Sequence, residues 1–427
     1  MVKRNELILF SILALLIIVG LGGCKKEDNK ITLRWSGAAY PGYDKFRSEQ
    51  SALFEKNHPK VNVKYEPVSG NYTGKILTQF AGNTAPDLIF VPPFIYQEFL
   101  KKGVLVDLTD WIARDKEYFA KFLPAVMANG EYKGRRYGIV SNNSLPVLFY
   151  NKDIFDAMKI PYPTNDMTLE EMVKLAERTT VRESNGSLKH YGLMSSTTWY
   201  QLGMLYGGQV WSNDGKKCNI NSEPFRKGIK FLRDIYAVYK VSPPPRETKE
   251  MGLMDQFLVG RGAMYMGSSS ELATIKIRNR GSRKFNYGVV MLPVPKGGTR
   301  TYVCGGMILG ISTRSKHPEL AYELAKFMCA PERIRFLMQV GDSVPVRCEG
   351  IEMQALMSDP DIPRDAAMAI SSAMRYTVPL RSVYSNLVPT DQFYAIVGQE
   401  LERYTILNQD LDKTLKSAEN KIQALVK

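Results

Sequence analysis

The side chains that most often carry catalysis are sparse in this chain. Its 427 residues include three histidines, His58, His190 and His317, and none stands in the HExxH pattern of metalloproteases. No GxSxG nucleophile motif is present. The stretch 70–75 is one residue short of a phosphate-binding loop and continues with Ile76 in place of Ser or Thr. The sequence therefore predicts no catalytic nucleophile, no metal and no cofactor.

Acidic residues leave one enzymatic alternative open. Glycosidases work with two Asp or Glu side chains and need no sequence motif around them. Four such residues lie near the ends of predicted strands: Glu66, Asp87, Glu271 and Asp342. A secreted glycan-cleaving enzyme is therefore the alternative function from a different class.

Composition indicates a globular chain of two large units. The length of 427 residues is almost three times that of a typical domain, and 44% of the residues are hydrophobic. The net charge of +14 suits nucleic-acid binding, but the densest basic cluster, at 276–284, lacks interleaved aromatic residues. We expect a solvated helix end and turn there, and no nucleic-acid partner.

The N-terminus has the features of an export signal. Lys3 and Arg4 precede an apolar stretch at 7–21, which is too short to span a membrane and ends in Leu-Gly-Gly-Cys. This ending resembles the bacterial lipobox, in which the cysteine is acylated before the signal is removed. We therefore expect a signal peptide at 1–23, a lipid on Cys24, and a polar tether at 24–30 outside the cytoplasmic membrane.

The remaining cysteines carry no recognisable motif. Cys218, Cys304, Cys329 and Cys348 form no CxxC pair and have no His nearby in sequence. An exported compartment permits disulfides, but spacing alone does not decide between paired cysteines and buried free thiols.

Strand-like and helix-like segments alternate after the tether, which is typical of an α/β domain. Alternating apolar residues predict strands at 31–35 and 61–65, with a helix at 43–57 between them. The unbroken apolar run at 87–91 predicts a central strand, and Thr168 with Glu171 forms a capping box that opens a helix. Residues 225–239 carry a helical stripe that we expect to be buried throughout.

Ten short segments together resemble the carbohydrate-type extracellular solute-binding proteins (family 1) that serve ATP-binding cassette (ABC) importers. Their order and spacing cover nearly all of the chain after the tether. They are FEKNHP at 54–59, AGNTAPDLI at 81–89, GVLVDL at 103–108, YGI at 137–139, LFYNKD at 148–153, FLVGRGAM at 257–264, LP at 292–293, GG at 305–306, KHPE at 316–319 and VPV at 344–346.

The resemblance implies an α/β, two-lobed periplasmic-binding-protein-like fold of type II, with the ligand in a cleft between the lobes. The N-terminal lobe is expected at 31–142 plus 306–346, and the C-terminal lobe at 143–305 plus 347–427. Chain crossings are expected near 141–145, 300–306 and 344–350. The family also implies a monomer that closes on its solute by a hinge and delivers it to an ABC permease.

Sugars present an apolar face and a rim of hydroxyls, so their sites need aromatic platforms together with polar side chains. Ligands of open α/β sheets lie beyond the carboxyl ends of strands, and the loops expected there supply such residues. From the residues themselves we predict Trp35, Tyr40, Asn71, Tyr72, Trp199, Tyr200, Trp211, Ser270 and Glu271 as ligand contacts. The resemblance adds Asn142, Gly305 and Gly306.

These observations predict a lipid-anchored, extracytoplasmic, non-catalytic receptor for a carbohydrate, with an oligosaccharide favoured. The first alternative keeps the fold and changes the solute to a peptide, a polyamine or an acidic sugar. The second alternative is the glycan-cleaving enzyme described above.

Overall fold

The computed structural model describes residues 30–39, 41–184, 188–281, 284–339, 343–347 and 350–426. Six predictions lie outside these residues: the signal peptide, the lipid on Cys24, the tether apart from its last residue, Tyr40 as a ligand contact, Asp342 as a candidate acid and the state of Cys348. The described strands are β1 (Ile31–Ala38), β2 (Val61–Val68), β3 (Leu88–Val91), β4 (Glu131–Tyr132), β5 (Arg135–Arg136), β6 (Ile139–Val140), β7 (Pro146–Asn151), β8 (Val181–Arg182), β9 (Leu188–Ser195), β10 (Gly262–Ser268), β11 (Tyr287–Met291), β12 (Tyr302–Cys304), β13 (Ile308–Ile311) and β14 (Thr377–Pro379).

The first large sheet has the strand order β2-β1-β3-β13-β6. Strand β1 pairs in parallel with β2 and β3, while β13 returns antiparallel to β3. The predicted central strand is confirmed, because β3 lies in the middle of the sheet and Leu88, Ile89 and Val91 are fully buried. A strand that is covered on both faces needs apolar residues at successive positions.

The second large sheet has the order β11-β7-β10-β9-β8. Strand β10 runs parallel to β9 and antiparallel to β7, so the carboxyl ends of β9 and β10 lie at the same sheet edge. Two smaller sheets pair β12 with β14 and β4 with β5. The two large sheets use strands from different parts of the chain, 31–140 with 308–311 in the first and 146–291 in the second.

Helices cover these sheets. They are α1 (Pro41–Asn57), α2 (Tyr72–Ala81), α3 (Pro93–Lys101), α4 (Thr109–Arg114), α5 (Lys116–Phe119), α6 (Pro124–Ala128), α7 (Lys152–Met158), α8 (Leu169–Thr179), α9 (Trp199–Leu205), α10 (Glu223–Ala237), α11 (Leu253–Leu258), α12 (Leu272–Asn279), α13 (Pro318–Met328), α14 (Pro331–Gln339), α15 (Ile351–Ser358), α16 (Arg364–Ala373), α17 (Thr390–Thr405) and α18 (Leu411–Gln423). The predicted capping box at Thr168 is confirmed, since its hydroxyl accepts from the Glu171 amide and the Glu171 carboxylate accepts from the Thr168 amide.

Three chain segments lie side by side between the two large sheets. The Ser144 amide donates to the Gly305 carbonyl at 3.0 Å, and the Val344 amide donates to the Asn143 carbonyl at 2.9 Å. A Cβ added to Gly306 would lie 1.8 Å from the Asn142 carbonyl oxygen. Only glycine permits so close a backbone approach, which is the physical reason for Gly at this position.

Two sequence predictions about exposure are wrong. Helix α10 ends at Ala237, so Tyr239 leaves the buried stripe and is 40% exposed. The basic cluster is not solvated throughout, because Lys276 is only 3% exposed. Its ammonium forms an ion pair with the Asp359 carboxylate and donates a hydrogen bond to the Gln339 carbonyl at 3.1 Å. The long Lys276 side chain reaches the carbonyls that end helix α14, where a cation is favoured.

Candidate binding cleft

A cavity of about 430 Å³ lies where two of the crossing segments meet the second sheet. The loops after β9 and β10 form one wall, at 196–201 and 267–270, and the crossings form the other, at 142–146 and 303–307. Pro93, at the start of α3, and Leu380 complete the lining. The cavity therefore lies beyond the carboxyl ends of parallel strands, where open α/β sheets bind ligands.

Gln201 fixes the wall that α9 contributes. Its side chain is 3% exposed, its Nε2 donates to the Thr301 carbonyl at 2.7 Å, and its Oε1 accepts from the Val303 amide at 2.8 Å. The hydroxyl of Thr198 caps α9 by accepting from the Gln201 amide. These bonds hold the 301–303 segment, and with it the return crossing, against α9.

Hydroxyl groups line the wall that follows β10. Ser268 and Ser270 lie with their hydroxyl oxygens 2.9 Å apart, and the Ser268 hydroxyl also accepts from the Ser270 amide. On the neighbouring loop, the Ser196 hydroxyl donates to the Met266 carbonyl at 3.2 Å. These groups can both donate and accept hydrogen bonds, as the hydroxyls of a polyol require.

Glu271 lies behind this wall instead of in the cavity lining. Its Oε1 accepts from the Tyr265 hydroxyl at 2.6 Å, and a Cβ on Gly267 would lie 2.3 Å from its Oε2. Burial raises the pKa of the Glu271 carboxyl to about 7. Tyr265 also contacts the Ser196 hydroxyl at 2.9 Å, so a chain of polar groups connects Glu271 with a side chain that lines the cavity.

No charged side chain belongs to the lining that the structure describes. The described carboxylates that the glycosidase alternative requires have other contacts. Glu66 pairs with Arg34 at 2.6 Å, and Asp87 accepts from the Arg34 amide at 2.8 Å and from the Ser315 hydroxyl at 2.6 Å. Both acids therefore link strands of the first sheet, and neither belongs to the cavity lining. Among the described residues, no cluster of three or more His, Cys, Asp or Glu side chains could hold a metal ion.

The structure brings five of the predicted contacts together at this cavity. Asn142, Tyr200, Ser270, Gly305 and Gly306 line it. Asn142 Oδ1 accepts from the Met307 amide at 2.7 Å, which orients its side chain at the crossing.

Trp35, Asn71 and Tyr72 do not belong to the lining. The Trp35 indole is 2% exposed, donates to the Ser51 hydroxyl at 2.9 Å and packs on Tyr65 at 4.3 Å between ring centroids. Asn71 caps α2, and the Tyr72 hydroxyl donates to the Ser36 carbonyl at 3.1 Å inside the first unit. Their hydrogen-bonding groups stabilise the fold of this unit.

Trp199 and Trp211 are also packed away from the cavity. Each is 6% exposed, and both belong to a hydrophobic cluster with Phe225 and Phe393. The Trp211 indole donates to the Val383 carbonyl at 3.0 Å. The polar, glycine-rich neighbours that suggested a ligand role belong to turns, and they do not determine which way an indole points.

Sequence reasoning missed most of the polar lining. Ser144, Thr197, Thr198 and Gln201 line the cavity, as do the side chains of Val303, Met307 and Leu380. Three hydroxyl residues in succession at 196–198, directly after the carboxyl end of β9, form a signal that could have identified one wall.

The described cysteines are unpaired. Cys218, Cys304 and Cys329 are buried free thiols, and burial raises the pKa of each to about 12. No helix in the described part of the chain has the length and apolar character needed to cross a bilayer.

Comparison with known proteins supports this architecture. The chain is 24% identical over 391 residues to the galactooligosaccharide-binding protein of Bacillus subtilis, covering 87% of this chain and 86% of that protein. An ABC substrate-binding protein of Listeria monocytogenes in complex with cycloalternan superposes with a TM-score of 0.79 at 24% identity, covering 92% and 98% of the two chains. The maltose-bound MalE3 of T. maritima superposes with a TM-score of 0.73 at 19% identity, covering 93% and 100%.

These likenesses confirm the predicted two-lobed α/β fold of type II. The model of one protein family, described as bacterial extracellular solute-binding protein, matches residues 38–333, well over half of the chain. The chain therefore belongs to the family of bacterial extracellular solute-binding proteins.

Proposed function

We propose that this protein is a lipid-anchored receptor that binds a neutral carbohydrate in the cleft and delivers it intact to an ABC permease. One observation carries the choice of solute: the described cavity lining combines hydroxyl, amide and apolar groups with no charged side chain. A phosphate, a carboxylate or a polyamine that enters such a cavity loses its hydration without meeting a counter-charge, which is unfavourable. Neutral hydroxyls find partners there.

The side chains divide into the two roles that a sugar requires. Tyr200 and Leu380 offer apolar surface for the C–H face of a ring. Asn142, Ser144 and Ser270 offer hydrogen bonds to the hydroxyl rim. The relatives support this solute class, since one is named for galactooligosaccharides and another was solved with maltose.

Closure of two lobes on the solute is the proposed mechanism of capture. We assign one lobe to 31–142 plus 306–346 and the other to 143–305 plus 347–427. Side-chain contacts also join the two lobes away from the crossings. One is the hydrogen bond from Thr390 to Gln97 at 3.3 Å, and another is the ion pair between Arg381 and Glu131 at 3.6 Å. A ligand that touches both lobes shifts the equilibrium towards closure by its additional contacts in the closed state.

The remaining parts of the proposal come from the sequence. In this proposal a signal peptide at 1–23, acylation of Cys24 and a tether at 24–30 lead to a monomeric receptor in the periplasm or at the outer face of the cytoplasmic membrane. The protein acts without catalysis in this proposal, because the three described candidate carboxylates, Glu66, Asp87 and Glu271, lie in the fold or behind the cavity wall.

Titration calorimetry with neutral and charged solutes tests the proposal. The neutral set is galactotetraose, maltotetraose and mannotetraose, and the charged set is glycerol 3-phosphate and spermidine. We expect one neutral sugar to bind most tightly, and Tyr200→Ala to weaken it about tenfold, as loss of an aromatic anchor does. Tyr239→Ala is the matched control, because Tyr239 is 40% exposed and lies outside the described lining. Tighter binding of a charged solute would contradict the proposal.

A further inference from the structure

A second cavity, of about 600 Å³, lies next to the cleft cavity. Its lining comes from the turn after Trp211, from the segment 378–387 and from Lys133 in the β4–β5 hairpin. It is therefore larger than the cleft cavity and also takes residues from both proposed lobes.

The two cavities share a narrow wall. Leu380 lines the cleft cavity, while its sequence neighbours Pro379 and Arg381 line the second cavity. On α9, Gln201 lines the first cavity and Met204 the second, and three helical residues correspond to a rise of about 4.5 Å. The same segment and the same helix therefore contribute to both linings, which makes the two cavities neighbours.

The second cavity offers unused hydrogen-bonding groups. Asn213 and Asn386 are exposed, and their side-chain amides have no partner among the described residues. Each amide provides both a donor group and an acceptor oxygen. Tyr384 and Trp211 add aromatic surface to the same lining, although the Trp211 indole contributes only an edge because it is 6% exposed.

Charged side chains of both signs belong to this lining: Lys133, Arg381 and Asp214. Arg381 pairs with Glu131 at 3.6 Å, and Asp214 accepts from the Ser212 hydroxyl at 2.6 Å and from the Lys216 amide at 3.1 Å. Because the charges are of mixed sign and the exposed amides can both donate and accept, the lining suits the hydroxyls of a neutral polyol better than an ion of one sign.

We propose that the second cavity is a subsite for the outer sugar units of an oligosaccharide whose first units occupy the cleft cavity. The inference rests on the proposed function and names its substrate class more narrowly, as a neutral oligosaccharide that extends past Leu380. It predicts that affinity rises with chain length, and that the rise depends on Asn213 and Asn386.

Titration calorimetry with a disaccharide and a tetrasaccharide of one series tests this. The probes are galactobiose with galactotetraose, maltose with maltotetraose, and mannobiose with mannotetraose. The wild-type protein should bind the tetrasaccharide of its preferred series at least about tenfold more tightly than the disaccharide, since two amides supply a net gain of that order. The double variant Asn213→Ala/Asn386→Ala should lose this advantage and keep the disaccharide affinity.

Control variants separate the possible failures. Asn420→Ala removes an exposed amide from α18, remote in sequence from both linings, and should change neither affinity. Tyr200→Ala should weaken both sugars of a series. Equal affinity for the two lengths in the wild type, or an equal loss for both lengths in the double variant, would overturn the second subsite while the proposed function stands. If no neutral sugar binds, the proposed function and this inference both fail.

Discussion

Replacing Gly306 by alanine tests the close packing of the crossings that form the cleft. The new Cβ would lie 1.8 Å from the Asn142 carbonyl oxygen and 2.6 Å from Asn142 Oδ1, so two backbone segments must separate by more than 1 Å. Overpacking of this kind costs about 1–3 kcal/mol. The bond from the Met307 amide to Asn142 Oδ1, now 2.7 Å, would be strained as well, and its loss adds about 1 kcal/mol.

We therefore expect the free energy of unfolding to fall by about 2–4 kcal/mol in Gly306→Ala, from the sum of these two effects. Sugar affinity should fall too, because Asn142 and Gly306 both line the cavity. Urea denaturation measures the first effect and calorimetry the second. Gly398→Ala is the matched control: it lies in α17 with no heavy atom within 4 Å of the added Cβ, and the better helix former should stabilise by up to about 1 kcal/mol. A Gly306→Ala protein as stable as the wild type would refute the packing argument.

Four further predictions follow from the sequence and the structure. Cys24→Ser should leave the protein in the aqueous phase of a detergent partition, whereas the wild type enters the detergent phase. Trp199→Ala should lower the free energy of unfolding by about 3–5 kcal/mol in urea, because it empties a buried site. Burial raises the pKa of Glu271 from 4.5 to about 7, so the stability that this carboxyl contributes is complete below pH 4.5 and is lost as the pH rises towards 7. Glu271→Gln should remove this pH dependence, which is on the order of 3 kcal/mol, and melting curves recorded over a range of pH measure it. Binding of the preferred sugar should reduce the radius of gyration in small-angle scattering, while a fixed groove would leave it unchanged.

Regular elements could be predicted from the sequence because local patterns determine them. The apolar run that became β3, the capping box at Thr168 and the alternation in β1 each reflect a periodicity within a few residues. Their order along the chain also identified the family, since ten short segments at consistent spacing require little knowledge of three-dimensional contacts.

Side-chain direction could not be predicted in the same way. Trp199 and its neighbour Tyr200 have the same sequence surroundings, yet Trp199 packs on Phe225 at 5.5 Å between ring centroids, while Tyr200 reaches the cavity. Lys276 belongs to a basic cluster but is buried against Asp359. This partner lies 83 positions away in the sequence, so the local pattern does not reveal it. Contacts between distant segments decided these outcomes, and short-range patterns do not contain them.

Mass spectrometry of the solute recovered from the complex is the most direct test of capture without catalysis. The preferred neutral oligosaccharide is incubated overnight with the protein, and the complex is separated from free sugar and then denatured. We predict recovery of one oligosaccharide per chain at its original mass. Recovery of shortened sugar, with cleavage abolished in Glu66→Gln or Glu271→Gln, would contradict the receptor function and favour the glycan-cleaving alternative.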